Sequence, residues 1–313
     1  MSEQDEHFDV VIIGGGPAGL TAAIYSSWLD LRTVVLEAGV SGGRALEASR
    51  IENFPGFEDG IKGSELATRM SKQATRLGAS IRTSEEVIGL GVVGEAKRAT
   101  TRKRTYWASA VIICTGTQRK KLHVPGEAEF LGRGLSYCAV CDGPFFRNAA
   151  VAVVGGGKEA ITDALFLAEL AKSVTIVAHE KGSDVEHTLK EKLRSRPNVE
   201  VVNGRLVAVR GEEVLKSIKI FEHESQREIE KEVKGVFVAL GGVPMTEVVR
   251  ISGIDTDKNG CLIVDRMQRT SVEGVFAAGD CTCGGMQVIT AAGEGAMAAM
   301  KASVYIIRSR AKK

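Results

Sequence analysis

The sequence predicts an α/β fold of two Rossmann-like dinucleotide-binding domains, the second inserted into the first, and three observations carry that prediction. The first is an apolar run, Phe8 to Ile13, followed by Gly14-Gly15-Gly16-Pro17-Ala18-Gly19, a stretch of helical spacing and a second apolar run, Thr33 to Leu36, that ends at Glu37. A strand, a glycine turn, a helix and a strand closed by an acid make a βαβ unit. The second is a repeat of that unit over 151–177, where VAVV leads into Gly155-Gly156-Gly157-Lys158-Glu159-Ala160, a helical segment and the strand VTIV. The third is a pair of matching strands, Ala110–Cys114 and Gly235–Leu240, each followed by glycine and then by a Pro-containing crossover, at 122–126 and at 241–244. These place one domain over 1–121 and 245–313 and the inserted domain over 122–244. The last section predicts strands near 261–264 and 274–277, then Gly279-Asp280 and a long helix of small residues.

Composition narrows the function classes. The 41 Lys and Arg nearly cancel the 39 Asp and Glu, leaving a net charge of +2. A nucleic-acid or anionic-membrane binder carries a concentrated basic excess, which is absent here. Glycine is the outlier, with 36 among 313 residues, against an ordinary share of about 7%. No apolar run reaches the ~18 residues of a membrane span, and the polar, acidic N-terminus has no leader pattern. The expectation is a cytoplasmic protein. Its six cysteines are too few for a disulfide scaffold, and a close pair in a reducing compartment is redox-active or metal-binding. Two basic clusters, Lys97–Arg104 and Arg119–Lys121, read as solvated hairpin and crossover faces, with a docking surface for an acidic donor protein as the sharper alternative.

The glycine turns differ in what they suit. In Gly14-x-Gly16-x-x-Gly19 the first glycine permits the turn, and the second lets the backbone approach a pyrophosphate at the positive helix end. The third lets helix and strand pack closely. Glu37 stands where a carboxylate accepts hydrogen bonds from a ribose diol. The second turn, Gly155-x-Gly157-x-x-Ala160, runs into Ala178-His179-Glu180-Lys181 with no arginine cluster. A 2′-phosphate wants guanidinium partners, and Glu180 repels it. The residues therefore disfavour NADPH, and leave NADH, with Glu180 on the ribose, or an empty second pocket.

Cys138-Ala139-Val140-Cys141 is followed by Asp142. Cysteines at this spacing form a small reducible ring, and the thiolate of one attacks disulfides. Asp142 is placed to protonate a leaving thiolate or accept a thiol proton. The alternative is half of a zinc site completed by Cys281-x-Cys283. Cys114 and Cys261 fall in predicted strands and read as core residues.

Over essentially its whole length the chain resembles the low-molecular-weight thioredoxin reductases. The landmarks are the GGGPAG turn, Ile51-Glu52-Asn53-Phe54-Pro55-Gly56, Cys114-Thr115-Gly116 and Ser136-Tyr137-Cys138-Ala139-Val140-Cys141-Asp142-Gly143. They continue with the second glycine turn, Ala277-Ala278-Gly279-Asp280, and Gln287 followed by Thr290-Ala291-Ala292-Gly293. The resemblance implies an FAD-containing homodimer that passes electrons through flavin to a Cys138–Cys141 disulfide and on to thioredoxin or a similar dithiol protein. It implies that Cys141 faces the flavin, that Cys138 attacks the partner disulfide and that Asp142 is the acid/base. Gly14, Gly16, Pro17, Ala18, Gly19 and Glu37 then hold the ADP half, and Gly42, Gly43, Asn53, Thr115, Gly116, Gly279, Asp280 and Gln287 line the flavin. In this family the inserted domain rotates between two states, and the two crossovers suit such a hinge.

The chain departs from the family on the donor side. The family's His-Arg-Arg run after the second-domain strand is Ala178-His179-Glu180 here. Gly-Gly-Gln becomes Gly42-Gly43-Arg44, and the Arg before the late Gln is Met286. That pattern resembles the branches that draw electrons from ferredoxin or a reduced deazaflavin, so the leading expectation is a donor other than NADPH. A conventional NADPH-dependent reductase is the alternative. A flavin reductase of this fold would lack the cysteine pair, and a redox sensor would hold flavin and disulfide without turnover.

Overall fold

The computed structural model describes residues 5–48, 50–93, 95–178, 196–246 and 252–311. The chain divides into two compact units, Met1–Gln118 with Val243–Lys313, and Arg119–Gly242. The first unit opens with β1 (Glu6–Ile13), α1 (Pro17–Trp28), β2 (Thr33–Leu36), α2 (Gly63–Arg76), β3 (Ser80–Arg82), β4 (Val87–Val93), β5 (Ala96–Thr101) and β6 (Thr105–Ile113). A connecting strand, β7 (Thr117–Arg119), leads to the second unit: β8 (Leu135–Ser136), β9 (Ala150–Val154), α3 (Lys158–Ala168), β10 (Ser173–Ala178), β11 (Val199–Gly211), β12 (Leu215–Glu222), β13 (Arg227–Glu232) and β14 (Gly235–Val238). The return strand β15 (Gly242–Pro244) pairs with β7, and the first unit ends in β16 (Val275–Ala277) and α4 (Val288–Ala311).

In the first unit β1 lies between β2 and β6, both parallel to it. The far edge of the long β6 is shared: its first half pairs antiparallel with β5 and its last three residues pair parallel with β16. The central strand ends are buried on both faces, as a covered parallel sheet requires, so Val10 to Ile13 and Ala110 to Ile113 read as unbroken apolar runs. Helices α1 and α4 cover one face at close range. A Cβ on Gly295 of α4 would stand 2.1 Å from the Ala18 carbonyl oxygen of α1, which is why that helix is written in glycine and alanine. The second unit repeats the plan, with β8, β14, β9, β10 and the start of β11 parallel and β11–β12–β13 antiparallel.

Two expectations are corrected. Residues 261–264 form no strand; only a Thr256–Leu262 bridge occurs. The Asp257 carboxylate accepts the backbone N–H groups of Asn259 and Cys261 at 2.8 and 2.9 Å, while the Leu262 and Ile263 N–H groups go to the Cys281 and Asp255 carbonyls at 2.9 and 3.0 Å. The donors of this stretch are thus divided among separate partners and not given to one neighbouring strand. Lys97 is not on a solvated face. It is 2% exposed on β5, with its Nζ donating to the Glu95 carbonyl at 2.8 Å and to the Tyr305 hydroxyl at 3.2 Å. The long apolar stem is covered while the ammonium keeps oxygen partners, which is what permits its burial.

Candidate functional site

Strand register builds the first site. Ile13 pairs with Leu36 on one side and Ile113 on the other, and Ile113 pairs in turn with Ala277. The residues after these four strands therefore come out together: Gly14, Glu37, Cys114 and Ala278 stand along one crest at the carboxyl ends of parallel strands, where open α/β sheets bind ligands. Hydrogen bonds continue the ladder into the crest, Gly14 N–H to Leu36 O at 2.8 Å, Cys114 N–H to Ile13 O at 2.7 Å and Ala278 N–H to Ile113 O at 2.9 Å. At Gly14, φ is +104° and a Cβ would lie 2.3 Å from the Cys114 carbonyl oxygen. At Gly19 a Cβ would lie 1.9 Å from the Gly14 carbonyl. Both glycines are thus demanded by close packing of turn, helix and neighbouring strand.

Around that turn the backbone is arranged as a cradle. Gly16 is the N-cap of α1, with no side chain capping the helix and Pro17 in its first turn. The open amides and the helix dipole of such an end favour an anion. Gly42 N–H donates to the Gly15 carbonyl at 2.7 Å, and Gly43, at φ +53°, passes so close that its Cβ would be 3.1 Å from the Gly16 Cα. The Glu37 carboxylate accepts from Gly15 N–H at 2.7 Å and Gly39 N–H at 2.8 Å, fixing it beside the turn. Ser41 Oγ is buried with no hydrogen-bond partner among the described residues. Thr115 and Gly116 come one residue after β6, beyond Cys114, and Gly279 donates its N–H to Glu294 at 2.7 Å. Burial holds the Glu294 carboxyl above its usual range, against the Gly279 and Thr282 hydrogen bonds. Asp280 accepts from Arg44 Nη1 at 3.1 Å, and the same Nη1 donates to Thr117 Oγ1 at 2.6 Å. Asn53 Nδ2 donates to Gln287 Oε1 at 3.2 Å. A phosphate-ready helix end, an acid held beside it, an unpartnered hydroxyl and a glycine-lined floor together fit a dinucleotide.

The second turn copies the first. Val154 pairs with Val177 and Val238, and a Cβ on Gly155 would meet the Ala239 carbonyl oxygen at 2.2 Å. Gly157 N-caps α3 with nothing within 4 Å of its Cβ position, and Ala160 is fully buried beneath. The first turn of α3 carries Glu159. Glu180, with His179 and Lys181, lies outside the described residues.

Cys138 and Cys141 form a disulfide with a Cα–Cα distance of 5.3 Å. Cys138 caps the short helix Ala139–Asp142, its Sγ accepting the Cys141 N–H at 3.2 Å. Asp142 is held by Ser136, whose hydroxyl donates to Oδ2 at 2.5 Å and accepts the Cys138 N–H at 3.0 Å. Burial raises the Asp142 pKa above the usual carboxylate value; the Ser136 hydrogen bond and the positive charge of Arg119 oppose it. The guanidinium of Arg119 sits 4.7 Å over the Tyr137 ring, and the Tyr137 hydroxyl bonds Glu127. A disulfide with a part-buried carboxyl one residue away, oriented by a serine, is equipped for dithiol exchange with proton transfer.

Sequence reasoning had not assigned Ser136 or Arg119 to Asp142. Serine two residues before the first cysteine is the only local signal, and the aspartate's environment depends on folding. It also missed that Cys261 pairs with Cys283, at a Cα–Cα distance of 5.7 Å. That pairing takes Cys283 out of the four-thiolate alternative, and Cys281 and Cys114 are buried free thiols. Among the described residues, no group of three or more His, Cys, Asp or Glu is arranged to hold a metal ion. No described helix is long and apolar enough to cross a membrane.

The family model described as pyridine nucleotide-disulphide oxidoreductase matches residues 8–295. A thioredoxin reductase of Treponema pallidum (strain Nichols) is 41% identical over 301 residues, covering 96% of this chain and 97% of that protein. The crystal structure of thioredoxin reductase from Streptococcus pyogenes MGAS5005 superposes with a TM-score of 0.91 at 34% identity, covering 97% of this chain and all of that one. A ferredoxin-flavin thioredoxin reductase from Clostridium acetobutylicum is 32% identical with a TM-score of 0.54, covering 97% of this chain and all of that one.

Proposed function

This chain belongs to the pyridine nucleotide-disulphide oxidoreductase family as a flavoprotein of the thioredoxin-disulfide reductase type, and from that premise we propose that its Cys138–Cys141 disulfide receives two electrons from a donor other than NADPH and hands them to thioredoxin or a similar dithiol protein. The observation that carries the reading is the Cys138–Cys141 bond beside an Asp142 held by Ser136. FAD, when bound, supplies the two-electron carrier between donor and disulfide. Gly14, Gly16, Pro17, Ala18, Gly19 and Glu37 hold its ADP half in this proposal, and Gly42, Gly43, Asn53, Thr115, Gly116, Gly279, Asp280 and Gln287 surround the remainder. On reduction the S–S bond opens to two thiols. Cys138 then attacks the partner's disulfide, Cys141 resolves the mixed bond, and Asp142 gives and takes the proton at sulfur.

The donor assignment is supported by the last residue of β10 and the two that follow it in sequence, Ala178-His179-Glu180, which offer no guanidinium for a 2′-phosphate, and by the likeness to the ferredoxin-flavin enzyme. Ferredoxin, a reduced deazaflavin and NADH are the candidates. The family's pyridine-nucleotide character favours a conventional NADPH-dependent reductase as the second reading. Exposed apolar side chains on α1 and α4, among them Trp28 at 70%, support a homodimer. Anaerobic mixing of the yellow protein with each donor decides: fast flavin bleaching is expected with ferredoxin, deazaflavin or NADH, and fast bleaching by NADPH overturns the donor proposal. Failure of the reduced protein to open a thioredoxin disulfide overturns the reductase reading.

A further inference from the structure

We propose that Cys261–Cys283 is a second redox site, opened by a dithiol, whose opening loosens the segment Asp280–Gln287 and weakens flavin binding. The inference rests on the reading of Asp280 and Gln287 as flavin contacts. Cys261 is 4% exposed, at the end of the turn capped by Asp257, whereas Cys283 is only partly buried. The bond reaches back 22 residues along the chain. It joins the turn at 257–261 to the point where the short helix Asp280–Thr282 stops.

Cys283 stands between the two flavin candidates. Its N–H donates to the Asp280 carbonyl at 3.0 Å, and its own φ of 59° is left-handed. Gly285 and Met286 follow with φ of +66° and +47°. A cysteine and a methionine in that region are held there by their surroundings, because L side chains disfavour it. The hydrogen bonds that shape 283–287 are short-range: Met286 N–H to Gly284 O at 2.8 Å and Gln287 N–H to Thr290 Oγ1 at 3.2 Å. Longer ties hold the flanks, among them Leu262 N–H to Cys281 O at 2.9 Å, Arg44 Nη1 to Asp280 at 3.1 Å and Asn53 to Gln287 at 3.2 Å. The covalent tie falls between them, at the residue from which the left-handed run departs. Cutting it returns conformational freedom to the part of the chain that presents Asp280 and Gln287.

The chemistry balances. A thiolate of the incoming dithiol attacks Sγ of Cys283, the less buried residue of the two; the Cys261–Cys283 bond breaks and Cys261 leaves as a thiolate that takes a proton. The second thiol of the dithiol cleaves the mixed disulfide, Cys283 takes a proton, and the dithiol departs oxidised by two electrons. A protein that produces dithiols would in this way meet its own product at a second site.

The test uses the full chain carrying Cys138→Ser and Cys141→Ser, so that a dithiol does not reach the flavin through that pair. Native alkylation with peptide mass mapping, and FAD affinity from flavin fluorescence, are measured before and after dithiothreitol. Cys261 and Cys283 are expected to be unlabelled before and labelled after, with the FAD Kd about tenfold higher after reduction. Adding Cys261→Ser and Cys283→Ser is expected to give the weaker affinity under both conditions. Labelled Cys261 and Cys283 in the oxidised protein, or equal affinity before and after reduction, overturns the proposal. Asp280→Ala separates the two levels. If it leaves FAD affinity unchanged, the flavin-site reading fails and the inference with it; if it weakens FAD while reduction does not, the clamp alone fails.

Discussion

Asp142 is the residue on which opposing effects can be weighed. Burial raises its pKa, while the Ser136 hydrogen bond and Arg119 pull it down, and burial wins. The neutral acid therefore persists to higher pH than in an exposed aspartate. Ser136→Ala removes a bond that favours the carboxylate, so the pKa rises further and the carboxylate-dependent limb of the pH–rate profile for thioredoxin reduction moves to higher pH. An unmoved limb would remove Ser136 from the mechanism. Asp142→Asn keeps the shape and loses the transferable proton, and thiol exchange is expected to slow about a hundredfold or more. Stopped-flow exchange at one pH measures it, and a wild-type rate sinks the role. Burial also pushes Cys281 to about 11 and Cys114 well above the ordinary thiol range, so these two stay protonated near neutrality and resist alkylation. The legible part at this scale was the motif itself, Cys138, Cys141 and Asp142 being adjacent in sequence. Arg119 was not legible, because a cation beside a crossover looks the same whether it faces solvent or a carboxyl.

Elements show where local pattern suffices. The runs at Phe8–Ile13, Thr33–Leu36 and 151–154 are strands because buried parallel strands are apolar on both faces, and the glycine turns after them are dictated by contacts of 2.3 and 2.2 Å to neighbouring carbonyls. The stretch at 261–264 had strand composition and no strand resulted: Asp257 takes the Cys261 N–H, and the Leu262 and Ile263 N–H groups go to the Cys281 and Asp255 carbonyls, so no single neighbouring strand receives them. Helix α3 carries a titration of its own. Asp163 is raised from 3.8 to about 6, by burial first and then by Glu159 one turn earlier. A carboxyl raised in the folded state contributes stability that is complete below its unfolded pKa and lost as pH rises through the folded one. Asp163→Asn is therefore expected to match the parent near pH 4 and to exceed it by about 1–2 kcal/mol at pH 8, after allowance for solvent screening. Urea unfolding at the two pH values checks this; an equal difference at both would mean that titration is not the cause.

At the scale of the whole molecule the two chemistries fall in different units, the dinucleotide crest in Met1–Gln118 with Val243–Lys313 and the Cys138–Cys141 disulfide in Arg119–Gly242. They should then separate by substitution. Cys138→Ser with Cys141→Ser is expected to leave FAD affinity within about twofold of the parent while abolishing thioredoxin reduction. Flavin loss on that change, followed by absorbance after gel filtration, would show that the cysteine pair supports the flavin site. A lone sensor would reduce nothing in either form.

The amino-acid sequence by itself determined the α/β class, the family and the dithiol chemistry, because each is carried by contiguous residues whose spacing is a local property of strands, turns and short helices. Tertiary structure alone decided the Cys261–Cys283 bond across 22 residues, the Lys97–Tyr305 contact across 208 and the Arg44–Asp280 pair across 236. Such partners meet only once strand register and helix packing have set which distant backbones run side by side, and no periodicity along the chain records that choice.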